Sequence, residues 1–503
     1  MTQARSDYCD VLIIGAGMSG LCAGMRLRQA GMHDFLLLES DSRLGGTWRD
    51  NTYPGAACDI PAMFYSFSFE LKTDWSRKYP PQEEILAYLE HCADKYALRE
   101  KIRFNSRVEE ARYDETRALW QVRLAGGDRL QARVLITGTG QLNRPFTPAI
   151  EGQDSFAGHS FHSARWDHGH SLRDRDVAVI GNAASAIQFI PHIARQARRV
   201  TVFQRSANWM LRRGDRAYTR LERSLFRRLP LLVRLRRARM WLTHELRWPV
   251  FARGDSWLGR AIERSALRRM RRAVHDPAMQ KKLTPGYPMG CKRILISDDY
   301  WEAVNRNNVE IVTEPLRRMT ADGLETVDGT RRLADTLIYA TGFRTTEFLA
   351  PVMIYGRGGL SLDQAWQDGA EAYLGISLPG FPNLFMCYGP NTNLGHNSII
   401  FMIEQQVDYI LQCLQAMRER GLAALELREA VMADWRRECE QGLAQTVWAT
   451  GCRSWYQNSA GRITNNWPYS TLTYWWRTRR LQLSDYHQLA PSRDRPKHAL
   501  SAA

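Results

Sequence analysis

The chain has no C-x-x-C pair, no apolar run of membrane-spanning length and no visible signal-peptide pattern. Its nine cysteines (Cys9, Cys22, Cys58, Cys92, Cys291, Cys387, Cys413, Cys439 and Cys452) are scattered over 503 residues. That pattern argues against a zinc clamp or a disulfide framework and for reduced thiols in a cytosol. Apolar runs fall well short of the roughly 20 residues of a bilayer helix, so no transmembrane segment is expected. The first apolar strand, at 10–14, begins too near Met1 for a signal peptide to precede it. A cytoplasmic protein is therefore expected. His159, His162, His168 and His170 crowd one stretch, but without cysteines or paired carboxylates they give no metal site.

Acidic residues are scarce in one place. Residues 205–272 hold 20 arginines against 5 acids, a net of +15 out of +16 for the whole chain. Outside this segment the chain is close to neutral, which argues against general affinity for nucleic acid. From 207 to 283 the pattern is helical, with Leu221, Leu225, Leu229 and Leu232 at near-helical spacing and arginines between them. Three uses of this insert are open: a solvated Arg-rich face, docking on membrane headgroups alongside Trp241, Trp248 and Phe251, or docking on an acidic carrier protein.

The N-terminal unit reads strand, glycine turn, helix, strand. Residues 11–14 are followed by Gly15-Ala-Gly17-Met-Ser-Gly20, then a helical run, then Phe35-Leu-Leu-Leu38 ending at Glu39. This is a βαβ dinucleotide fingerprint in context. Gly15 permits the turn, Gly17 admits the pyrophosphate and Gly20 lets helix and strand pack closely. Glu39, nineteen residues after Gly20, is placed to accept from ribose hydroxyls. A second unit begins at 176–180 and continues Gly181-Asn-Ala183-Ala-Ser-Ala186, with Ala183 in place of the middle glycine. Arg205 ends its next strand where a 2′-phosphate would lie, which favours NADPH over NADH; a solvated charge is the plainer alternative.

Between the two loops stands Phe156-Ala-Gly158-His-Ser-Phe-His162-Ser-Ala-Arg-Trp166-Asp167. This stretch resembles, at every fixed position, the F-x-G-x-x-x-H-x-x-x-W-P/D fingerprint of the type I Baeyer–Villiger monooxygenases. The resemblance extends from about residue 9 to 487. It includes Gly45-Gly-Thr47-Trp48 and Tyr53-Pro-Gly-Ala-Ala-Cys-Asp59, Lys292-Arg293, and Gly389-Pro-Asn391-Thr-Asn-Leu-Gly395-His396-Asn397. Looser matches at Trp455, Trp467 and Arg479 are shared with shorter members, some of which oxidise aryl ketones. Two segments, 134–140 and 335–343, resemble the crossings between FAD and NADPH domains in two-dinucleotide flavoproteins.

The resemblance implies an α/β fold with two Rossmann-like domains, the NADPH domain inserted into the FAD domain. The expected boundaries are 1–148 for FAD, completed by 331–503, and 149–330 for NADPH with its helical insert. It also implies a flavin enzyme that consumes NADPH and O₂ and inserts oxygen beside a ketone carbonyl through a C4a-peroxyflavin. Arg293 would steady the negative peroxide and Asp59 would orient Arg293; an N-terminal helix cap is the plainer reading of Asp59. Lys292 and Arg205 would bind the 2′-phosphate. Thr47, Trp48, Tyr53, Gly181, Ala186 and Asn391 would line the cofactors, and Trp455 would belong to the lid over substrate and NADP⁺. Phe156, Gly158, His162, Trp166 and Asp167 would serve domain movement and packing rather than chemistry. An N- or S-oxidising flavin monooxygenase is the alternative, opposed by Trp166, Asp167 and the Lys292-Arg293 pair. A flavin-bound docking protein with a weakened NADPH loop is the third reading, and disulfide reduction is opposed by the missing C-x-x-x-x-C pair.

Overall fold

A computed structural model describes residues 7–253, 256–452 and 454–491. Among these residues an eight-stranded sheet and a five-stranded parallel sheet organise the chain. The leucine- and β-branched runs alternate too little for half-exposed strands, and they lie buried at the sheet centres. Tyr8–Ile14 pairs in parallel with Phe35–Leu38 on one side and Arg129–Thr137 on the other. Arg129–Thr137 continues antiparallel into Leu119–Leu124 and Val108–Asp114, and Leu384–Met386 returns to pair beside it. Helix α1 (Met18–Gln29) springs from the first glycine turn.

The five-stranded sheet runs in the order Val309–Val312, Arg199–Phe203, Asp176–Ile180, Thr336–Tyr339, His159–His162. Helix α2 (Ala184–Ile193) follows its glycine turn. Thr336–Tyr339 pairs with both Asp176–Ile180 and His159–His162, so this sheet takes in a strand that lies beyond residue 330.

The Arg-rich insert is helical: α3 (Arg220–Arg228), α4 (Pro230–Glu245) and α5 (Trp257–Ala273). A Thr219–Glu222 capping box opens α3, and Pro230 starts α4 at a position that needs no N–H. The insert packs against both sheets. Met270 of α5 joins the core of the five-stranded sheet, but Phe226 and Val233 join the core of the eight-stranded one. Arg237 on α4 donates to the carbonyls of Met63 (3.2 Å) and Ser66 (2.6 Å), pinning that helix to the first unit. The C-terminal helices α6 (Ile399–Glu419) and α7 (Thr471–Thr478) complete this core, α6 packing on α1.

Candidate active site

A cavity of 1490 Å³ opens between the two sheets, reached by both glycine turns. Gly15 has φ +102°, and a Cβ there would stand 2.7 Å from the Gly138 carbonyl oxygen, so no other residue fits this turn. Gly20 is pressed against the Gly15 carbonyl, as its packing role requires. Glu39 closes the first cradle. Its Oε2 accepts from the Ala16 N–H at 2.9 Å, and its Oε1 accepts from Arg49 at 3.0 Å. Arg49, which the sequence reading overlooked, also holds Asp50 at 2.7 Å and lines the cavity with Thr47 and Trp48. Trp48 Nε1 donates to the Tyr65 hydroxyl at 3.1 Å.

The second cradle repeats this geometry with Gly181 at φ +104°. Ala183 stands exposed at the N-cap of α2, and Ala186 is fully buried behind it. The helix N-terminus, with Gly181 to Ser185 on the cavity wall, offers free N–H groups to an anion. Arg205 and Lys292 both line the cavity here, and Lys292 Nζ donates to Ser206 Oγ at 2.9 Å. Burial, then the neighbouring Arg205 charge, pulls the Lys292 ammonium below its ordinary range. Two neighbouring cations on one wall favour an anion there.

Between the cradles Arg293 faces Asp59. Nε and Nη2 both donate to Asp59 Oδ2, at 3.1 and 2.5 Å. Burial alone would raise the Asp59 carboxyl, but the Arg293 charge and hydrogen bonds hold it below the usual carboxylate range. Asp59 in turn raises the guanidinium, which stays charged at any working pH. Neither residue caps a helix, so the plainer reading of Asp59 falls. Arg213 donates to the Cys58 carbonyl at 3.0 Å and steadies the same turn. Tyr388 lines the cavity nearby, its hydroxyl pushed up to about 12 by burial and therefore neutral.

Cysteine usage is corrected at this point. Cys291, next to Lys292, is bonded to Cys452, with their Cα atoms 6.2 Å apart, while the other seven are free and buried. A separation of 161 residues hides this pair from any spacing rule.

Asn391 does not reach the cavity. It is buried, and its side chain donates to the carbonyls of Ile463 (3.0 Å) and Asn466 (3.3 Å), stapling two loops together. Asn393, Leu394, Gly395 and His396 form the wall instead. Glu245, at the end of α4, braces this loop by accepting from Asn397 Nδ2 at 2.8 Å and from the Thr471 N–H at 2.9 Å. His396 Nε2 lies 3.5 Å from the same carboxylate. Burial would raise Glu245, but donors from His396 and Thr471 hold it down at about 2. Nothing in the local sequence marks Glu245, because its partners lie 152 and 226 residues away. Trp455 stands on the cavity wall, its carbonyl accepting from Thr345 at 2.8 Å and Asn465 at 2.9 Å.

Of the residues 156–167, Arg165 alone lines the cavity. Phe156 packs beneath the five-stranded sheet, and Gly158 sits between its ring and the Asp335 carbonyl. Trp166 lies edge-on to Phe161 and tilted against Phe189 of α2, ring centroids 5.2 Å apart in each pair. Asp167 pairs with His159 at 2.9 Å. His162 is buried and accepts at Nδ1 from the Ala164 N–H, at 3.1 Å. The flanking residues reach across to the other unit: Arg165 to Asp50 (3.4 Å) and His168 to Thr52 (2.8 Å). Tyr53 donates to Gln188 of α2 at 3.0 Å, and Gln188 bonds both backbone groups of Ala57. The junction between the sheets thus combines these polar contacts with the packing of Tyr53 on Phe189, ring centroids 6.0 Å apart.

Two dinucleotide cradles opening on one cavity, with a fixed guanidinium–carboxylate pair between them, define a pyridine-nucleotide-dependent flavoprotein. Residues 12–234 match the family model described as pyridine nucleotide-disulphide oxidoreductase. Over 97% of its length the chain is 42% identical to a Baeyer–Villiger monooxygenase from Streptomyces coelicolor, covering 94% of that protein. An oxidised steroid monooxygenase bound to NADP superposes with a TM-score of 0.87 at 32% identity, covering 96% of this chain and all of that one. OTEMO in complex with FAD and NADP gives 0.86 at 28% identity, covering 95% of this chain and 99% of that one. The chain belongs to the Baeyer–Villiger monooxygenases, and it is a flavin-dependent enzyme that uses FAD and NADPH.

Proposed function

We propose that the Arg293–Asp59 pair is the catalytic pair of this monooxygenase, acting on a ketone to give an ester or lactone. The observation that carries this reading is its place, on the wall of the 1490 Å³ cavity that both glycine cradles open into. Loading with FAD and NADPH fits the residues present: glycine turns at helix N-termini, a carboxylate closing the first cradle, and two cations at the second. When bound, FAD reduced by NADPH supplies the activated oxygen atom from O₂.

The side chains then divide the remaining work. Arg293 keeps a positive charge, with donors fixed by Asp59, beside the oxygen on which negative charge develops as the carbonyl is attacked. Asp59 holds the guanidinium in one orientation and remains ionised, so it takes no proton from it. Arg205 and Lys292 grip a 2′-phosphate, with Ser206 orienting the ammonium. Tyr388 stays protonated and, with Trp455, helps keep bulk water from the reacting carbonyl. His162, Trp166 and Asp167 maintain the junction across which the two units adjust. The FAD domain comprises 1–148 with the C-terminal part of the chain, and the NADPH domain the segment between, ending at Tyr339.

The test is NADPH consumption by the yellow holoenzyme under labelled O₂ with cyclic, linear and aryl ketones, recording product masses. A labelled ester or lactone, lost on Arg293→Ala with flavin retained, establishes the reading. Peroxide alone from every ketone, with N- or S-oxides from amines or sulfides, overturns it.

A further inference from the structure

Helix α4 is buried on one side only. Val233, Arg237 and His244 face the protein, while Leu231, Leu235, Ala238 and Leu242 face outward, the three leucines 51–67% exposed. At the helical rotation of about 100° per residue these four fall within a sector of about 60°. Arg234 and Arg239, both exposed, flank that sector on its two sides. The stripe continues into α3 through Leu229, Leu225 and Leu221, all exposed. At its other end Trp241 donates to Thr471, the first residue of α7, where Leu472, Trp475 and Trp476 are also exposed and Arg479 stacks over Trp476.

Arginines and leucines meet without acidic partners on this surface. Among the described residues Arg220, Arg228, Arg234 and Arg239 form no ion pair. The two acids of α3 and α4 are both taken up: Glu222 by Arg216 and the Thr219 cap, Glu245 by Thr471 and Asn397. An outward leucine stripe edged by free arginines, with tryptophans at one end, is the arrangement of a helix lying in a membrane interface. No described helix is long and apolar enough to cross a bilayer, so any such contact is peripheral.

We infer that the α3–α4–α7 face docks the enzyme on an anionic lipid surface, with the leucines dipping among the acyl chains and the arginines on the headgroup phosphates. Charge selects this occupant. A second copy pairing through the same face would bring two arginine-edged surfaces of like charge together, while an anionic bilayer answers both the charge and the apolar stripe. The same helix reaches the cavity: His244 at its inner end, and Arg247 just beyond, stand on the cavity wall. Docking would therefore place the site close to apolar ketones dissolved in the lipid.

The experiment is sedimentation of the FAD-loaded enzyme with vesicles of phosphatidylcholine alone or with about 30% phosphatidylglycerol, at low and high salt. Binding is expected only to the anionic vesicles and is weakened by salt. The double substitution Arg234→Gln/Arg239→Gln should weaken it about thirtyfold, on the basis of one lipid-facing charge each. Leu235→Ser/Leu242→Ser should weaken it as strongly with every arginine in place, flavin absorbance and melting temperature certifying the fold. No binding to either vesicle, or binding that Leu235→Ser/Leu242→Ser leaves unchanged, overturns the inference. Concentration-dependent dimerisation removed by these substitutions, with no vesicle binding, assigns the face to a second copy and overturns it too.

Discussion

Arg293 and Asp59 lie 234 residues apart in sequence, yet both guanidinium donors, Nε and Nη2, meet a single carboxylate oxygen. Both residues line the cavity, with the guanidinium fixed by this carboxylate. Removing the cation should therefore cost oxygen transfer and spare the steps before it. Arg293→Ala is expected to lower ester formation by about 10²- to 10³-fold, the usual cost of one fixed oxyanion donor. Arg293→Lys should recover little, because an ammonium cannot keep the two-donor geometry. Asp59→Ala should lie between wild type and Arg293→Ala. Stopped-flow bleaching of the flavin by NADPH, measured beside product formation, separates the two steps: loss of both would place Arg293 in nucleotide binding instead.

The Lys292–Ser206 hydrogen bond and the nearby Arg205 predict the nucleotide preference. Each charge-assisted contact to a phosphate is worth about 1.5–3 kcal/mol. Arg205→Ala and Lys292→Ala should each raise the KM for NADPH by about 10- to 100-fold and leave the KM for NADH nearly unchanged. Equal rises for both nucleotides would mean that these cations act on the pyrophosphate or on the fold, not on the 2′-phosphate.

What could be read along the chain follows from how locally each feature is encoded. The βαβ turns are legible because Gly15 and Gly181 need positive φ and stand at fixed offsets from a strand and a helix. Asp59 and Arg293 are legible only through family motifs, since no local pattern brings residues so distant together. The helical character of the insert shows in its leucine spacing, but its packing does not. Phe226, Val233 and Arg237 turn toward the first unit through tertiary contacts that spacing cannot encode. Asn391 misleads for the converse reason: its motif neighbours line the cavity, while its own φ of +55° turns its side chain into the loop core. Cys291 and Cys452 fall in the same class as Glu245, residues whose partners are remote.

Glu245 offers a third test, because it ties the end of α4 to both the Asn397 loop and the start of α7. Its carboxylate, held at about 2, is ionised throughout the neutral range. Glu245→Ala strands the Thr471 N–H and hydroxyl and takes one of its two acceptors from the Asn397 amide, and should destabilise the protein by about 2–4 kcal/mol. Glu245→Gln keeps some of these bonds and should cost less. Urea midpoints at pH 7.5 check the order. A positioning role for the Asn397 loop would appear as a raised ketone KM in Glu245→Gln at unchanged flavin content; a merely structural role would leave KM alone.

The buried rings of His162 and His244 set the acid side of the stability profile. Burial pulls each imidazole down to about 4, against roughly 6.5 in an unfolded chain. Between these values the unfolded chain binds more protons than the folded one, so stability rises with pH across that window and is lost on acidification. Above about pH 7 both states are neutral and neither ring contributes a slope. At pH 5 each should cost about 2 kcal/mol relative to pH 7.5, from the difference in proton binding. His162 adds a geometric reason, since a protonated Nδ1 could no longer accept from the Ala164 N–H. His244 keeps its Nδ1 bond to the Met240 carbonyl at 2.8 Å in either state, so its penalty is that of a buried charge set beside the Arg247 guanidinium. His162→Gln and His244→Gln should each flatten the fall in urea midpoint between pH 7.5 and 5, and the double substitution should remove most of it. A fall that survives both substitutions would move the acid sensitivity to His170 and His192, whose imidazoles burial also pulls below their ordinary value.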